Sequence, residues 1–332
     1  MNARKLIVMD LDGTLLNEEG IVTQKTKKYL GKLKKEGYVI AIATGRILKS
    51  ALIATDGAEF ANYIVADAGA AVYKMQADNW EEVDADLISR KIAEEIISEF
   101  DDEKFRYIDL CSKDYINMFA TKYFSENKVV RIFDDKDTIV RNIHKITHIS
   151  AGFWKNDFVK EYQKIFTKKY PELDIKIMQD SFDDVQWLEL FNKGVEKYSG
   201  INKVAQMENI KNENIIAFGD GLNDIDMIEK CGIGVAMKNA LIDVKEKANL
   251  EQELKQIEDN FIEKKEYEDK IKIVEEKIKN HSTKMLEYEL QKLHEELKLC
   301  LESNARRTYL INSLEKINAL DLKKEISVIF GI

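Results

Sequence analysis

Short apolar runs alternate with amphipathic stretches in the first part of the chain. The segments "KLIVMD", "YVIAIATGR" and "NYIVADAG" each contain a continuous apolar run, and the stretch from Gln24 to Glu36 between the first two has a helical pattern. Apolar runs separated by helices are typical of parallel strands that are covered on both faces. The same order returns after Lys193, where a helical stretch precedes "NIIAFGDG", another helix starts near Asn223, and "GIGVAM" follows. The pattern predicts a doubly wound α/β core built from two separate segments.

A segment with a mixed helix and strand pattern interrupts this core. It runs from about Val83 to Gln186 and includes "KFRYIDLCSKDYINMFA" and "HKITHISAGFW". Ligands of doubly wound sheets bind at the carboxyl ends of the strands, and an insertion at that edge would cover them. We therefore expect an inserted α+β domain that acts as a substrate-selecting cap.

The composition changes from Glu251 onward to Glu, Lys and Leu, without strand signals. Two groups of apolar positions each follow the three-four spacing of a helix face. The first is Ile271, Val274 and Ile278, and the second is Leu290, Leu293, Leu297 and Cys300. The register breaks at residues 280–284, so a helical hairpin and one long coiled coil both fit. The predicted domains are the core at 1–82 and 187–250, the cap at 83–186, and a helical extension at 251–332.

Composition and charge exclude several classes of protein. The net charge of −9 disfavours nucleic acid as the main partner, because duplex binding draws most of its affinity from Lys and Arg at the phosphates. No run approaches the roughly 18 to 20 apolar residues of a membrane helix, and the amino-terminal apolar run is too short for a signal peptide. We expect a cytoplasmic protein without a membrane partner.

Two carboxylates stand two positions apart where the first apolar run ends, in "DLDGT". On an extended chain, Asp10 and Asp12 would face the same side, about 6.5 to 7 Å apart. A divalent cation offsets the repulsion between them, and carboxylates with backbone carbonyls are the ligands that magnesium prefers. Gly13 permits a sharp turn, and Thr14 offers hydrogen-bond donors to an anion. A plain Asp-Gly turn explains the same letters, so neighbouring motifs have to decide.

Polar residues follow two further apolar runs. In "AIATGR", Thr44 can bind a phosphate oxygen, although such a residue also serves as a helix cap. In "AFGDGLNDIDMI", Asp220 ends a strand and is followed within one turn by Asn223 and Asp224, which a capped loop would also explain. Lys193 in "FNKG" precedes a helix, where a surface lysine is the ordinary interpretation.

Taken together and in this order, the motifs resemble those of the haloacid dehalogenase superfamily. "DLDGTLL", "ATGR", "KG" and "GDGLNDIDMI" followed by "GIGVAMKNA" are similar to its Cof-type, IIB-like phosphatases, over about Lys5 to Ala248. The resemblance implies a Rossmann-like core with an inserted α+β cap. It also implies a Mg²⁺-dependent phosphatase of small phosphorylated metabolites such as sugar phosphates or phosphorylated cofactors.

The resemblance assigns roles to particular residues. Asp10 would be the nucleophile that forms an aspartyl-phosphate, and Asp12 the general acid and base. Magnesium would be held by Asp10, the Asp12 main-chain carbonyl, Asp220 and Asp224. Phosphate would be held by Thr44, Gly45, Lys193 and Asn223, and Arg46 would contact the substrate or the cap.

The chain departs from the family in two places. The family usually has an Asn-Gly pair after its third core strand, whereas "VADAGAAVY" has Ala68 in place of the amide. The helical extension replaces the usual last strand and flap, and it could form a homo-oligomer, bind another protein, or stabilise the fold. Two alternatives to a phosphatase therefore stay open: a phosphotransferase or mutase that uses the same aspartate, and a catalytically impaired scaffold that acts through its tail.

Overall fold

The computed structural model describes residues 4–121, 128–141, 143–179 and 185–248. All of them belong to the compact unit Met1–Asn249. The predicted helical or coiled-coil extension at 251–332 lies outside the described residues.

A seven-stranded sheet forms the core. Its strands are β1 (Leu6–Met9), β2 (Val39–Ala43), β3 (Tyr63–Ala66), β4 (Ala71–Gln76), β5 (Asn79–Ala85), β12 (Ile215–Gly219) and β13 (Ile233–Ala236), in the order β13-β12-β1-β2-β3-β4-β5. The pairs from β13 to β3 are parallel, whereas β4 and β5 pair antiparallel at one edge. This arrangement confirms the predicted doubly wound α/β core.

Five helices accompany this sheet, in the two segments of chain that build it. They are α1 (Gln24–Lys35), α2 (Leu48–Thr55), α6 (Lys197–Met207), α7 (Ile225–Lys230) and α8 (Ile242–Lys247). α1 begins where the Thr23 side chain accepts a hydrogen bond from the Thr26 amide, and Leu30 and Leu33 on its apolar stripe are buried. Strands β1, β2 and β3 are buried at every position, which is why their sequences are continuously apolar.

A second sheet forms the cap. Its strands are β6 (Phe105–Cys111), β7 (Ile116–Ala120), β8 (Val130–Ile132), β9 (His148–Phe153), β10 (Leu173–Gln179) and β11 (Gln186–Asn192), in the order β10-β11-β9-β6-β7-β8. All pairs are antiparallel except β7 with β8. The cap helices are α3 (Arg90–Glu99), α4 (Lys136–Arg141) and α5 (Asn156–Lys169).

The two faces of the cap sheet differ in character. Ile108 and Leu110 of β6 pack with Ile149 and Ala151 of β9 in an apolar cluster that includes residues of α3, α4 and α5. The alternate positions are polar on the same strands, among them Asp109 and Ser150, which are register partners. The helices therefore cover one face of the sheet, and the opposite face carries polar groups.

The strand pairings shift the predicted cap boundaries. β5 continues the core sheet to Ala85, three residues beyond the predicted end at 82. β11 pairs with β9 and β10, so Gln186–Asn192 belongs to the cap sheet and not to the second core segment, which was predicted to begin at 187.

None of the helices in the described part of the chain has the length and apolarity needed to cross a bilayer.

Two glycines bring α6 against the turn that joins β3 and β4. A Cβ atom on Gly69 would lie 2.0 Å from the Glu196 carbonyl oxygen, and one on Gly200 would lie 3.3 Å from the Gly69 backbone. Gly69 also has a φ of +107°, a conformation that favours glycine. Backbone thus packs on backbone here, and this contact fixes how closely the first turn of α6 approaches the core sheet.

Candidate active site

The carboxyl ends of β1 and β12 bring the predicted aspartates together. Asp10 follows β1 directly, and its amide donates to the Phe218 carbonyl of β12 at 2.9 Å. Asp220 follows the end of β12, and the short turn Leu222–Asp224 comes next. Because β1 and β12 are parallel neighbours, their ends meet at one edge of the sheet.

Asp10, Asp220 and Asp224 form what we call the aspartate cluster. Each offers a carboxylate oxygen, and these three oxygens all lie within 4.8 Å of one another. The Lys197 ammonium donates to Asp10 Oδ1 and to Asp224 Oδ1, at 2.6 Å in both cases. Lys197 is only 1% exposed, so a single buried cation holds two of the three carboxylates.

The prediction that Lys193 binds the phosphate needs correction. Lys193 lies in the turn after β11, its side chain is 68% exposed, and its ammonium pairs with Asp174 of β10 at 2.5 Å. Lys197 occupies the predicted position instead, because it is the first residue of α6 and that helix begins beside the aspartate cluster. A signal for Lys197 existed in the sequence: it lies three and four residues before Gly200 and Ile201, on the buried stripe of α6.

The remaining hydrogen bonds hold the aspartate cluster in shape. Asp224 Oδ2 accepts from the amides of Asp220 and Gly221, both at 2.9 Å. Thr14, which is buried, donates its hydroxyl to Asp220 Oδ1 at 2.8 Å. The Thr14 hydroxyl is thus engaged with a carboxylate in this structure.

Asn239 is a site residue that the sequence reasoning missed. Its amide donates to the Gly13 carbonyl at 2.9 Å and to Asp220 Oδ2 at 3.1 Å, which ties the turn after β1 to the turn after β12. The signal was its position shortly after the end of β13, the strand next to β12, where a polar side chain reaches the same edge of the sheet.

Gly13 confirms the expectation of a sharp turn after Asp12. Its φ is +81°, in the left-handed region. A Cβ at this position would lie 2.2 Å from Asp220 Oδ2. The turn therefore approaches Asp220 more closely than any residue with a side chain would allow.

Asp12 lies on the open side of the site and is paired with Arg46. Its side chain is 54% exposed, in contrast to buried Asp10. The Arg46 guanidinium donates to both carboxylate oxygens, from Nε at 2.8 Å and from Nη2 at 2.5 Å. Hydrogen bonding to Asp12 raises the pKa of Arg46 above its ordinary value. Arg46 therefore contacts a predicted catalytic carboxylate directly.

The other predicted phosphate ligands lie on two loops at this edge. Thr44 follows β2, is 1% exposed, and accepts from the Arg46 amide at 3.1 Å. Gly45 next to it is exposed, and α2 begins three residues later at Leu48. Asn223 is exposed in the turn that also carries Asp224. These groups lie on loops that follow β2 and β12, the two neighbours of β1.

The charges of the site are not balanced within the protein. Burial raises the pKa of Asp10 to about 7, against the opposing effect of Lys197. Burial also raises the pKa of Asp220. When all three carboxylates are ionised, the single Lys197 ammonium leaves two negative charges of the aspartate cluster without a partner cation. A hard divalent cation would offset that excess, and carboxylate oxygens are its usual ligands, so the residues present fit a metal ion.

The fold and this site together define a class of protein. The sequence model for haloacid dehalogenase-like hydrolases matches residues 7–260, and the chain belongs to that family. Within the family it is a Cof-type phosphatase.

Relatives and solved structures agree with this assignment. The chain is 28% identical over 262 residues to the 5-amino-6-(5-phospho-D-ribitylamino)uracil phosphatase YitU of Bacillus subtilis (strain 168), covering 74% of this chain and 90% of the relative. A second phosphatase of that name from the same organism, YcsE, is 28% identical over 246 residues, covering 74% and 88%. A HAD subclass IIB sugar phosphatase superposes with a TM-score of 0.57 at 21% identity, covering 74% and 92%. A haloacid dehalogenase-like hydrolase from B. subtilis has a TM-score of 0.62 at 19% identity, covering 74% and 93%.

Proposed function

We propose that this phosphatase is Mg²⁺-dependent and hydrolyses small phosphorylated metabolites through an aspartyl-phosphate on Asp10. The observation that carries the proposal is the position of Asp10, which is buried beside the Lys197 ammonium and two further carboxylates while Asp12 stands on the open side. Two carboxylates in different environments suit two different roles in catalysis.

The residues present account for both halves of the reaction. In the first half, an Asp10 oxygen attacks phosphorus, the bond from phosphorus to the ester oxygen breaks, and Asp12 gives its proton to the leaving oxygen. In the second half, Asp12 takes a proton from water, whose oxygen attacks the phosphorus of the aspartyl-phosphate. Phosphate leaves and the Asp10 carboxylate is restored.

Supporting residues hold charge and position during these steps. Asp10, Asp220 and Asp224, with the Asp12 main-chain carbonyl, would hold Mg²⁺, which supplies positive charge to the phosphoryl oxygens when bound. Lys197 keeps Asp10 and Asp224 in place, and Thr44, Gly45 and Asn223 would hold phosphate oxygens. The Arg46 guanidinium occupies both carboxylate oxygens of Asp12, so it has to move away before Asp12 can pass a proton to the leaving oxygen.

The names of the relatives suggest where to look for a substrate. YitU and YcsE are both named for 5-amino-6-(5-phospho-D-ribitylamino)uracil, and this ester is the first candidate. Sugar phosphates are the second, because a structural neighbour is a sugar phosphatase.

We further propose that the protein acts in the cytoplasm on small molecules, and that homo-oligomer or protein contacts form through residues 251–332.

The test is release of inorganic phosphate from a panel of these esters, with Mg²⁺ or with a chelator. The variants are Asp10→Asn and the control Asp56→Asn, whose side chain is 88% exposed. We expect Mg²⁺-dependent release that Asp10→Asn abolishes and Asp56→Asn leaves unchanged. Hydrolysis that survives Asp10→Asn would refute the aspartyl-phosphate route.

The same assay with excess sugar acceptor separates hydrolysis from the phosphotransferase alternative. A transferase would move the phosphoryl group to the acceptor and release less inorganic phosphate, whereas a hydrolase would release the same amount.

A further inference from the structure

Asp67 lies at the end of β3, outside the site described above. It is fully buried, and both Asp67 and Ala68 adopt left-handed backbone conformations, with φ of +49° and +54°. The Asp67 amide donates to the Arg46 carbonyl and the Ala68 amide to the Thr44 carbonyl, both at 3.0 Å. Non-glycine residues in this conformation persist where the surroundings hold them. Asp67 is therefore bound through its backbone to the loop that carries Thr44 and Arg46.

The Asp67 side chain meets a residue of the cap. His148 is the first residue of β9, and its Nδ1 lies 3.1 Å from Asp67 Oδ1. The imidazole stacks on Phe191 of β11, with ring centroids 4.9 Å apart and planes at 26°. Its register partner on β6 is Cys111. We call Asp67 and His148 the seam pair, because the two residues join the core sheet to the cap sheet.

The seam pair is enclosed by other titratable groups. Four of these groups interact electrostatically with a member of the pair. Asp67 interacts with Tyr73 of the core and Glu189 of the cap, and His148 interacts with Asp109 and Cys111 of the cap. Burial raises the pKa of Asp67, while His148 opposes that rise. Burial by itself would lower the pKa of His148, but Cys111 and Asp67 hold it well above its ordinary value. Each member of the pair thus favours the charged form of the other, in a place that water does not reach.

We propose that Asp67 and His148 are positioning residues, and that their contact fixes the cap sheet against the loop that carries Thr44 and Arg46. One buried ion pair then sets both the approach of the cap to the core and the shape of the phosphate-binding loop. Its kinetic consequences rest on the proposed function, whereas its structural consequences do not.

The variants separate this role from ordinary packing. His148→Phe keeps a ring against Phe191 and removes the nitrogen that meets Asp67. Asp67→Asn removes the charge and retains a residue type that tolerates left-handed backbone. The double variant Asp67→Asn/His148→Phe removes both charges together. The control is His144→Phe, the same substitution at an exposed position four residues earlier.

The first measurement is hydrogen exchange of the full chain, which does not depend on activity. We expect His148→Phe to accelerate exchange of the Asp67 and Ala68 amides at least 10-fold, because it leaves an unpaired buried carboxylate. The double variant should exchange more slowly than His148→Phe, since the carboxylate is gone, and His144→Phe should match the native chain. Native-like exchange in His148→Phe, or faster exchange in the double variant than in His148→Phe, would overturn the proposal.

The second measurement is steady-state hydrolysis of p-nitrophenyl phosphate with inorganic phosphate as inhibitor. We expect the inhibition constant of phosphate to rise about 10-fold in His148→Phe and to recover in part in the double variant, because the loop that holds phosphate is displaced and then relaxed. An unchanged constant in folded His148→Phe would overturn the proposal. If the native chain hydrolyses no ester, the proposed function fails and the exchange result still decides the role of the seam pair. If His148→Phe does not fold, Asp67→Asn supplies the same comparison in both measurements.

Discussion

Two groups of carboxylates in this protein differ in how many hydrogen-bond donors surround them. In the aspartate cluster, Asp224 accepts two backbone amides and the Lys197 ammonium, and Asp220 accepts a hydroxyl and an amide. Near the seam pair, Asp109 Oδ1 has no hydrogen-bond partner among the residues that the structure describes, and Asp67 has His148 close by without hydrogen-bond alignment. The first group is built to hold negative charge in place for a ligand, whereas the second places carboxylates with few donors at the contact between two sheets.

The largest expected effect comes from removing the cation of the aspartate cluster. Lys197→Met keeps the length of the side chain but leaves Asp10 and Asp224 without their shared ammonium. Loss of one partner from a buried ion pair costs about 3–5 kcal/mol. We expect a loss of stability of that size and a fall in kcat of roughly 10²- to 10³-fold, by analogy with removal of a charge-stabilising group. Urea unfolding and phosphate release measure the two effects, and near-native values in both would refute the role assigned to Lys197.

Crowding the aspartate cluster should have the next largest effect. Gly13→Ala places a Cβ 2.2 Å from Asp220 Oδ2 and also strains the backbone. We expect kcat/KM to fall about 10²-fold, because small displacements of catalytic groups cost rates of that order. Gly20→Ala is the matched control, since Gly20 has a similar φ of +72° but no described residue has an atom within 4 Å of the added Cβ. Equal losses in the two variants would assign the effect to backbone strain and not to Asp220.

Removing the Asp109 carboxylate, which lies near the seam pair, should stabilise the protein at alkaline pH. Burial raises the pKa of Asp109 from 3.8 to about 7. The folded state therefore binds more protons than the unfolded state between these values, and the stability contribution of this group is lost as the pH rises through about 7. Asp109→Asn should raise the melting temperature at pH 8 relative to the native chain, and should change it little at pH 4.

The control for that comparison is Asp114→Asn, an exposed residue in the turn between β6 and β7. Melting curves at pH 4, 6 and 8 for the three chains give the difference directly. A lower melting temperature for Asp109→Asn at pH 8 would show that the ionised carboxylate is stabilised by its surroundings, in conflict with the contrast drawn above.

The smallest expected effect concerns Lys193. Its ion pair with Asp174 is exposed on the lysine side, and pairs of this kind contribute about 0–1 kcal/mol. Lys193→Met should change kcat/KM less than about twofold and stability by less than about 0.5 kcal/mol. The measurements used for Lys197→Met apply here too, and a large loss of activity would reopen the assignment of the phosphate-binding lysine.

The contrast between Lys193 and Lys197 shows which features of the fold and the site can be predicted from local sequence pattern. The strands of the core are continuously apolar and end in polar motifs, so the fold and the positions of Asp10, Asp12, Asp220 and Asp224 followed from local pattern. The choice between Lys193 and Lys197 depended on where α6 begins and on which way its first residue faces. A lysine on the buried stripe of a helix is therefore a better signal for the site lysine than the motif "KG".

The seam between core and cap was beyond sequence reasoning for a different reason. Asp67 and His148 are far apart in the chain, and their contact depends on the register of the cap strands and on how the two sheets meet. The boundary at β11 failed for a related reason, because a strand that returns to the core belongs to whichever sheet supplies its hydrogen-bond partners. Tertiary pairing decides both features, and local pattern does not contain it.

The glycine contact between α6 and the β3–β4 turn bears on how freely caps can be exchanged by recombination. The chain returns from the cap along a path that brings the Glu196 carbonyl to where a side chain on Gly69 would have to be. A chimaera that imports a foreign cap has to retain the native backbone from Glu196 onward together with Gly69 and Gly200. The foreign cap also has to supply a partner for Asp67 in the place of His148. The chemistry of Asp10 then stays with the recipient core.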